Sequence, residues 1–368
     1  MLTPQPLKQI IRNTQHLWDV PGTRPAVRNN FTKALVCRTT GLGAEVYASK
    51  AETKVVPHTC KSRACTSCGH RATVLWQREQ WAALPEIPYK GITLTMPDVL
   101  WDFFQDRRLL ADLPALAAGV IQQWAHTEHR AQILLIVVPH TFSRRLTFMP
   151  HLHILASAGG FDEARATWIS NLNLNKSILM QRWRLAVTTY LRVAYKAGLL
   201  RTNKTASQIE ILLDMQEERW WSVDIANFKS RARFLNYAGR YVRRPPIAEY
   251  KITEVTSERI RFRMHDHRLN REVEIAYSPD QFIRNLAIHV HDHYTHGVRY
   301  FGLLAPLSKG RLFSALFAIL GQTRRPRPQR LSWALSIKRE FGADPLLGTD
   351  GHRMKWAGRL QKHADGDL

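Results

Sequence analysis

No apolar run in the sequence approaches the roughly 18 residues that suggest a membrane span. The opening MLTPQPLKQIIRNTQ lacks the basic start and apolar stretch of a signal peptide. Cysteine is scarce: four in 368 residues are too few for a secreted disulfide scaffold. Internal repeats and low-complexity tracts are missing, which sets aside repeat architectures. Acidic residues are scarce as well. With 53 Lys and Arg against 30 Asp and Glu, 53 − 30 leaves +23 before histidine. These absences point to a soluble, cytoplasmic, strongly basic protein with no membrane partner. What is present suffices for a core, because 45% hydrophobic and 10% aromatic residues exclude disorder throughout. The length allows two or three domains at roughly 100–200 residues each.

Such a charge points first to a polyanion, since each Lys or Arg set on a phosphate releases a condensed counterion. Residues 294–339 hold nine Lys and Arg and no acid, and residues 227–248 hold six and again no acid. Two acid-free blocks favour dedicated surfaces for a phosphate backbone over a merely basic exterior.

Residues 1–30 read as a polar helix and a Pro-containing linker, and residues 31–84 as a small cysteine-bearing segment. Residues 89–96, 133–138 and 146–157 have strand character, and the loop between the last two permits antiparallel pairing. Residues 98–130 read as one or two helices broken near Pro114. Residues 162–200 read as helical, 220–225 as a strand, and 228–242 as a helix ending before Pro245-Pro246. Residues 259–264 and 272–277 alternate like hairpin arms. Ser278-Pro279-Asp280-Gln281 then supplies a helix cap. Residues 323–330 read as a linker.

Three constellations carry chemistry. All four cysteines, Cys37, Cys60, Cys65 and Cys68, fall within 32 residues, and thiolates in C-x2-C spacing can grip a tetrahedral Zn²⁺. The plainer reading is four reduced, buried thiols. If zinc binds, its role is structural, because four protein ligands leave no open position. The second constellation is His151-Leu152-His153. Residues two apart on a strand share a face, so two imidazoles form part of a divalent-ion site that needs a third ligand. His265-x-His267, at a hairpin tip, and His289-x-His291-x-His293, in a helix, lack that strand context. The third is Tyr237-Ala238-Gly239-Arg240-Tyr241, with both phenols on one helix face and Arg233, Arg240 and Arg244 on or beside it. A tyrosine nucleophile suits phosphodiester chemistry, because the phosphotyrosine stores the energy of the broken bond. An isolated pair at this spacing is otherwise read as core or stacking residues.

Together these features resemble the two-tyrosine HUH-endonuclease transposases of rolling-circle insertion sequences, which carry an N-terminal zinc-binding domain. The resemblance runs from about residue 24 to residue 354. It rests on the cysteine head, on Pro150-His151-Leu152-His153 running into Ala158-Gly159-Gly160, on Asn236-Tyr237-Ala238-Gly239-Arg240-Tyr241-Val242-Arg243-Arg244, and on Arg299-Tyr300-Phe301-Gly302-Leu303-Leu304-Ala305. The sequence departs from the family where further cysteine pairs are usual. Ser49 and Glu52 stand at one such place, and Asp344-Pro345-Leu346-Leu347-Gly348-Thr349-Asp350 contains no cysteine at the other.

The resemblance implies an α+β fold. Residues 1–85 would be a zinc- and DNA-binding region, and residues 86–250 an HUH nuclease core with a central antiparallel sheet and packed helices. Residues 251–368 would be a hairpin plus a basic helical C-terminal region. It implies catalytic Mg²⁺ or Mn²⁺ on His151 and His153, with Glu210, Asp214 and Asp224 as unranked candidates for the third ligand. Tyr237 or Tyr241 would attack single-stranded DNA at element ends to give a 5′-phosphotyrosine. Arg233, Arg240, Arg243 and Arg244 would contact that DNA, and a homo-oligomer is compatible with the reading. A replication initiator or relaxase would share the chemistry. A non-catalytic, zinc-stabilised nucleic-acid-binding protein, or a decayed transposase, is the alternative of a different class.

Overall fold

A computed structural model of the chain describes residues 5–62, 65–243, 245–266 and 269–361. It divides into two compact units. One comprises Met1–Ala72, Arg244–Asp292 and Arg327–Leu368, and the other Thr73–Arg243 and His293–Pro326.

The second unit is built on five strands: β1 (Tyr89–Leu94), β2 (Leu134–Phe142), β3 (Phe148–Ser157), β4 (Val223–Phe228) and β5 (Arg299–Gly302). Their order is β5-β2-β3-β1-β4, and every neighbouring pair is antiparallel. β2 and β3 are buried along nearly their whole length, because both faces of the sheet are covered. On one face Leu135, Val137, Leu152, Ile154 and Ile92 share a core with helices α2 (Arg107–His129), α3 (Lys176–Lys196) and α4 (Ala206–Asp214). On the other, Ile136, Val138, Leu155 and Tyr89 pack with helices α5 (Arg231–Ala238) and α6 (Pro306–Ile319). This is the α+β arrangement the sequence suggests, with strands apolar on both sides rather than alternating in and out.

Several local expectations are corrected. α2 is not broken at Pro114, which lies buried inside it; the break falls at Asp106, whose side chain caps Arg108 N at 2.9 Å. A helical proline costs about 3 kcal/mol. Burial of Leu109, Leu113, Ile121 and Trp124, at about 1.5–3 kcal/mol for each large apolar side chain, outweighs it. Residues 162–200 are not helical throughout. A small hairpin of Gly160–Asp162 and Thr167–Ile169 precedes α3, which starts where Asn175 caps Ser177 N at 2.8 Å. The expected helix at 228–242 is shorter, because β4 runs to Phe228 and α5 ends at Ala238.

In the first unit, helices Pro6–Asn13, Gln15–Trp18 and Pro25–Leu35 replace the expected polar helix and linker, with Leu7, Ile10, Ile11 and Trp18 buried. Strand Ala44–Ala48 lies between Thr53–Pro57 and the C-terminal strand Lys355–Leu360. The expected hairpin is present as Ile260–Asp266 and Arg271–Tyr277. Ser278 caps the following helix by accepting from Gln281 N at 3.2 Å. That helix, Pro279–Ile288, stops before His289, so the His289 to His293 run is not helical. Residues 323–330 form neither helix nor strand, and His267 and Arg244 lie outside the described residues.

Candidate functional site

Strand alternation puts His151 and His153 on the same face of β3, toward α5. Register does the rest: His151 stands opposite His140 of β2, and His153 stands between Val138 and Thr93 of β1. The β2–β3 ladder shifts just past His140, a bulge of the kind that re-aims side chains beside functional sites. The nitrogens of His140, His151 and His153 lie within 4.8 Å of one another, and all three residues are buried. Their rings stand nearly perpendicular, at 74–87°.

Hydrogen bonds set the tautomers. His151 Nδ1 donates to the Met149 carbonyl at 2.8 Å, which makes Nε2 the lone-pair nitrogen. His140 Nε2 donates to the Tyr241 carbonyl at 2.8 Å, and Nδ1 is its lone-pair atom. His153 Nδ1 pairs with the Thr93 hydroxyl at 3.3 Å. Burial pushes His151 below its ordinary value, and burial together with the neighbouring His151 pushes His153 down to about 2. Three buried imidazoles converging on one point fit a divalent transition ion.

His140 is the residue that sequence reasoning missed. Ending the strand at residue 138 left it out, whereas two more extended residues would have set it opposite His151. Glu210 and Asp214 do not reach the histidines. They belong to α4 on the opposite face of the sheet, where both pair with Arg192. Asp224 lies on β4 directly across from Thr93.

Both tyrosines lie beside this cluster. α5 is tied down at its start by Arg231, whose backbone N–H and guanidinium meet Glu86 at 3.0 and 2.9 Å. Past Ala238 the chain continues in i→i+3 turns, with Arg240 N to Tyr237 O and Tyr241 N to Ala238 O both at 3.0 Å. Thus Tyr241 is not on the helix as expected, yet its ring remains 4.9 Å from that of Tyr237. Gln77 and Thr73 hold this turn through the Leu235 and Val242 carbonyls, at 2.8 and 2.6 Å. The Tyr241 ring stacks on His153 at 3.7 Å. Burial, then the Tyr241 hydroxyl, hold the Tyr237 phenol above its ordinary value. Arg233, Arg240 and Arg243 are exposed, and the Arg240 guanidinium lies 6.0 Å over the Tyr237 ring.

The cysteines form a separate cluster in the first unit. The Sγ distances are 3.7 Å for Cys37–Cys68, 3.6 Å for Cys60–Cys68 and 3.8 Å for Cys37–Cys65. Four sulfurs about 2.3 Å from a tetrahedral zinc would be about 3.8 Å apart, so the cage has the size zinc needs. Arg38 and Lys61, each following a cysteine, take left-handed backbone conformations that turn the chain around the cage. Hydrogen bonds among the four thiols lower Cys37 to about 7 and lower Cys68, and the same bonds raise Cys60 and Cys65. The places where further cysteine pairs are usual in the resembled family also meet here. Glu52 Oε1 accepts from Thr349 N at 2.6 Å, and Asp350 bonds Ser49. Oxygen hydrogen bonds occupy that second clasp.

A family described as "Putative transposase" matches residues 135–311, and a "Transposase zinc-binding domain" family matches residues 9–96. The transposase for insertion sequence element IS801 of Pseudomonas savastanoi pv. phaseolicola is 30% identical over 359 residues, covering 94% of this chain and 87% of that relative. The chain belongs to the IS801-type transposase family with an N-terminal zinc-binding domain. A second relative, described as "Putative transposase y4qJ" of Sinorhizobium fredii, is 26% identical over 296 residues, covering 76% of the chain and 74% of that protein. No solved structure matches the chain. Among the described residues no helix is long and apolar enough to cross a membrane.

Proposed function

We propose that this transposase nicks and rejoins single-stranded DNA at the ends of its element, through a 5′-phosphotyrosine intermediate, in rolling-circle transposition. The observation that carries the reading is the placement of two phenols, Tyr237 and Tyr241, beside three converging imidazoles. His140, His151 and His153 would hold Mg²⁺ or Mn²⁺, which when bound would polarise the scissile phosphate.

One tyrosine oxygen forms a bond to phosphorus as the bond to the 3′ oxygen breaks. The phenol proton is lost, and the 3′ oxygen leaves as a hydroxyl. The phosphate stays on the protein, so a later 3′-hydroxyl can attack it and reseal a strand without further energy input. A second phenol allows a second strand to be taken before the first is released. Arg233, Arg240, Arg243 and Arg244 would bind the backbone and offset phosphate charge, and the cysteine head would bind DNA as a zinc-stabilised module. Residues 1–85, 86–250 and 251–368 are proposed as zinc-binding, nuclease and basic DNA-binding regions.

The test is cleavage of a single-stranded element-end oligonucleotide with Mg²⁺ or Mn²⁺. The expected result is a protein–DNA band that survives denaturation, with the protein on the new 5′ end made by the cut, beside a released fragment ending in a 3′-hydroxyl. A free 5′-phosphate with no joined band would mean attack by water and would overturn the reading.

A further inference from the structure

We infer that strand β1 makes the two tyrosines inequivalent: Gly91 and Thr93 form a seat that positions Tyr237, while His140 and His153 position Tyr241. The inference rests on the reading of both tyrosines as nucleophiles and concerns how each is held.

Gly91 sits within β1, between two paired strands, where glycine weakens a sheet unless something approaches closely. What approaches is Tyr237. A Cβ on Gly91 would lie 2.5 Å from Tyr237 Cε1, 3.1 Å from its Cζ and 3.1 Å from the Phe228 ring. The missing side chain is therefore the space the phenol occupies, and Phe228, 4.6 Å away between ring centres, closes one side of it. Two residues further along the same face, the Thr93 hydroxyl reaches the Tyr237 phenol and is also 3.3 Å from His153 Nδ1. Thr93 thus ties the placement of this phenol to a metal ligand.

Tyr241 is held by other means. Its carbonyl accepts from His140, and its ring lies on His153. A disturbance at Gly91 should therefore reach one nucleophile and spare the other.

The experiment measures covalent joining to a single-stranded element-end oligonucleotide with Mn²⁺ in two backgrounds. In Tyr241→Phe only Tyr237 reports, and in Tyr237→Ala only Tyr241 reports, with the seat emptied so that a methyl at position 91 meets only the edge of the Phe228 ring, at 3.1 Å. Adding Gly91→Ala should lower joining through Tyr237 by about tenfold to a hundredfold, the usual effect of misplacing a reacting group by about an ångström. Joining through Tyr241 should stay unchanged, and Mn²⁺ binding measured by calorimetry should match that of the parent. If Gly91→Ala does not fold, Thr93→Val carries the test. It should cut the Tyr237 route more than the Tyr241 route, and Thr93→Ser should restore it. Equal losses by both routes, or no loss through Tyr237, overturn the inference alone. No joining in the unsubstituted protein overturns the nucleophile reading and this inference with it.

Discussion

The ring of Tyr241 lies on the imidazole of His153, with centroids 3.7 Å apart and planes 27° from parallel. A proposed nucleophile and a proposed metal ligand therefore share one packing contact, and a substitution that removes the ring acts on both. Tyr241→Phe keeps the ring and should leave Mn²⁺ affinity unchanged. Tyr241→Ala should weaken it by about tenfold, in the range that loss of a ligand's supporting contact produces. Calorimetric titration of both variants checks this.

The donor set carries a prediction about the ion. Among the described residues, the cluster holds three imidazoles and no carboxylate. Imidazole nitrogen suits transition ions, whereas Mg²⁺ favours carboxylate, phosphate and water oxygens. Half-maximal cleavage should need less Mn²⁺ than Mg²⁺, and His140→Ala should cost as much activity as His151→Ala or His153→Ala. Activity retained in His140→Ala would remove that residue from the centre.

For the cysteine cage we expect about one Zn²⁺ per chain, since one tetrahedron of thiolates holds one ion. Elemental analysis of protein purified through a chelating resin measures it. Cys65→Ser should release the zinc and lower the thermal midpoint, leaving the three histidines able to bind Mn²⁺. Two zinc ions per chain in a variant lacking His151 and His153 would contradict the assignment of hydrogen bonds to the clasp at Ser49, Glu52, Thr349 and Asp350.

Asp106 gives a prediction in pH. Its hydrogen bond with Arg108 holds the carboxyl down to about 2. A depressed carboxylate adds stability above its ordinary range, near pH 4, and loses it as pH falls toward the folded value. Asp106→Ala should cost about 1 kcal/mol at neutral pH through loss of the α2 cap. Its deficit against the parent should narrow below about pH 4, as followed by thermal melts.

Much of this was legible in the sequence because short apolar runs, alternating runs and caps are local signals. The strand carrying His151 and His153, the hairpin near residue 264 and the cap at Ser278 are of this kind. His140 was not legible, because its role depends on which residue of a neighbouring strand falls opposite His151, and register is a tertiary fact. The end of α5 was misread for a similar reason. Tyr237 and Tyr241 keep helical spacing in sequence, but Gly239 lacks a Cβ and lets Gln77 approach, its Nε2 2.4 Å from where that Cβ would lie and bonded to the Leu235 carbonyl. There the turn tightens. Pro114 misled in the opposite sense, since core burial overrode a local breaker.

The measurement that bears most directly on the central claim is mass-spectrometric mapping of the covalent protein–DNA product. After nuclease and protease digestion, the retained nucleotide should be found on Tyr237 and on Tyr241. The Tyr237→Phe, Tyr241→Phe double variant should yield no joined peptide while still binding DNA. A nucleotide on any other side chain, or a joined product from the double variant, would contradict the account.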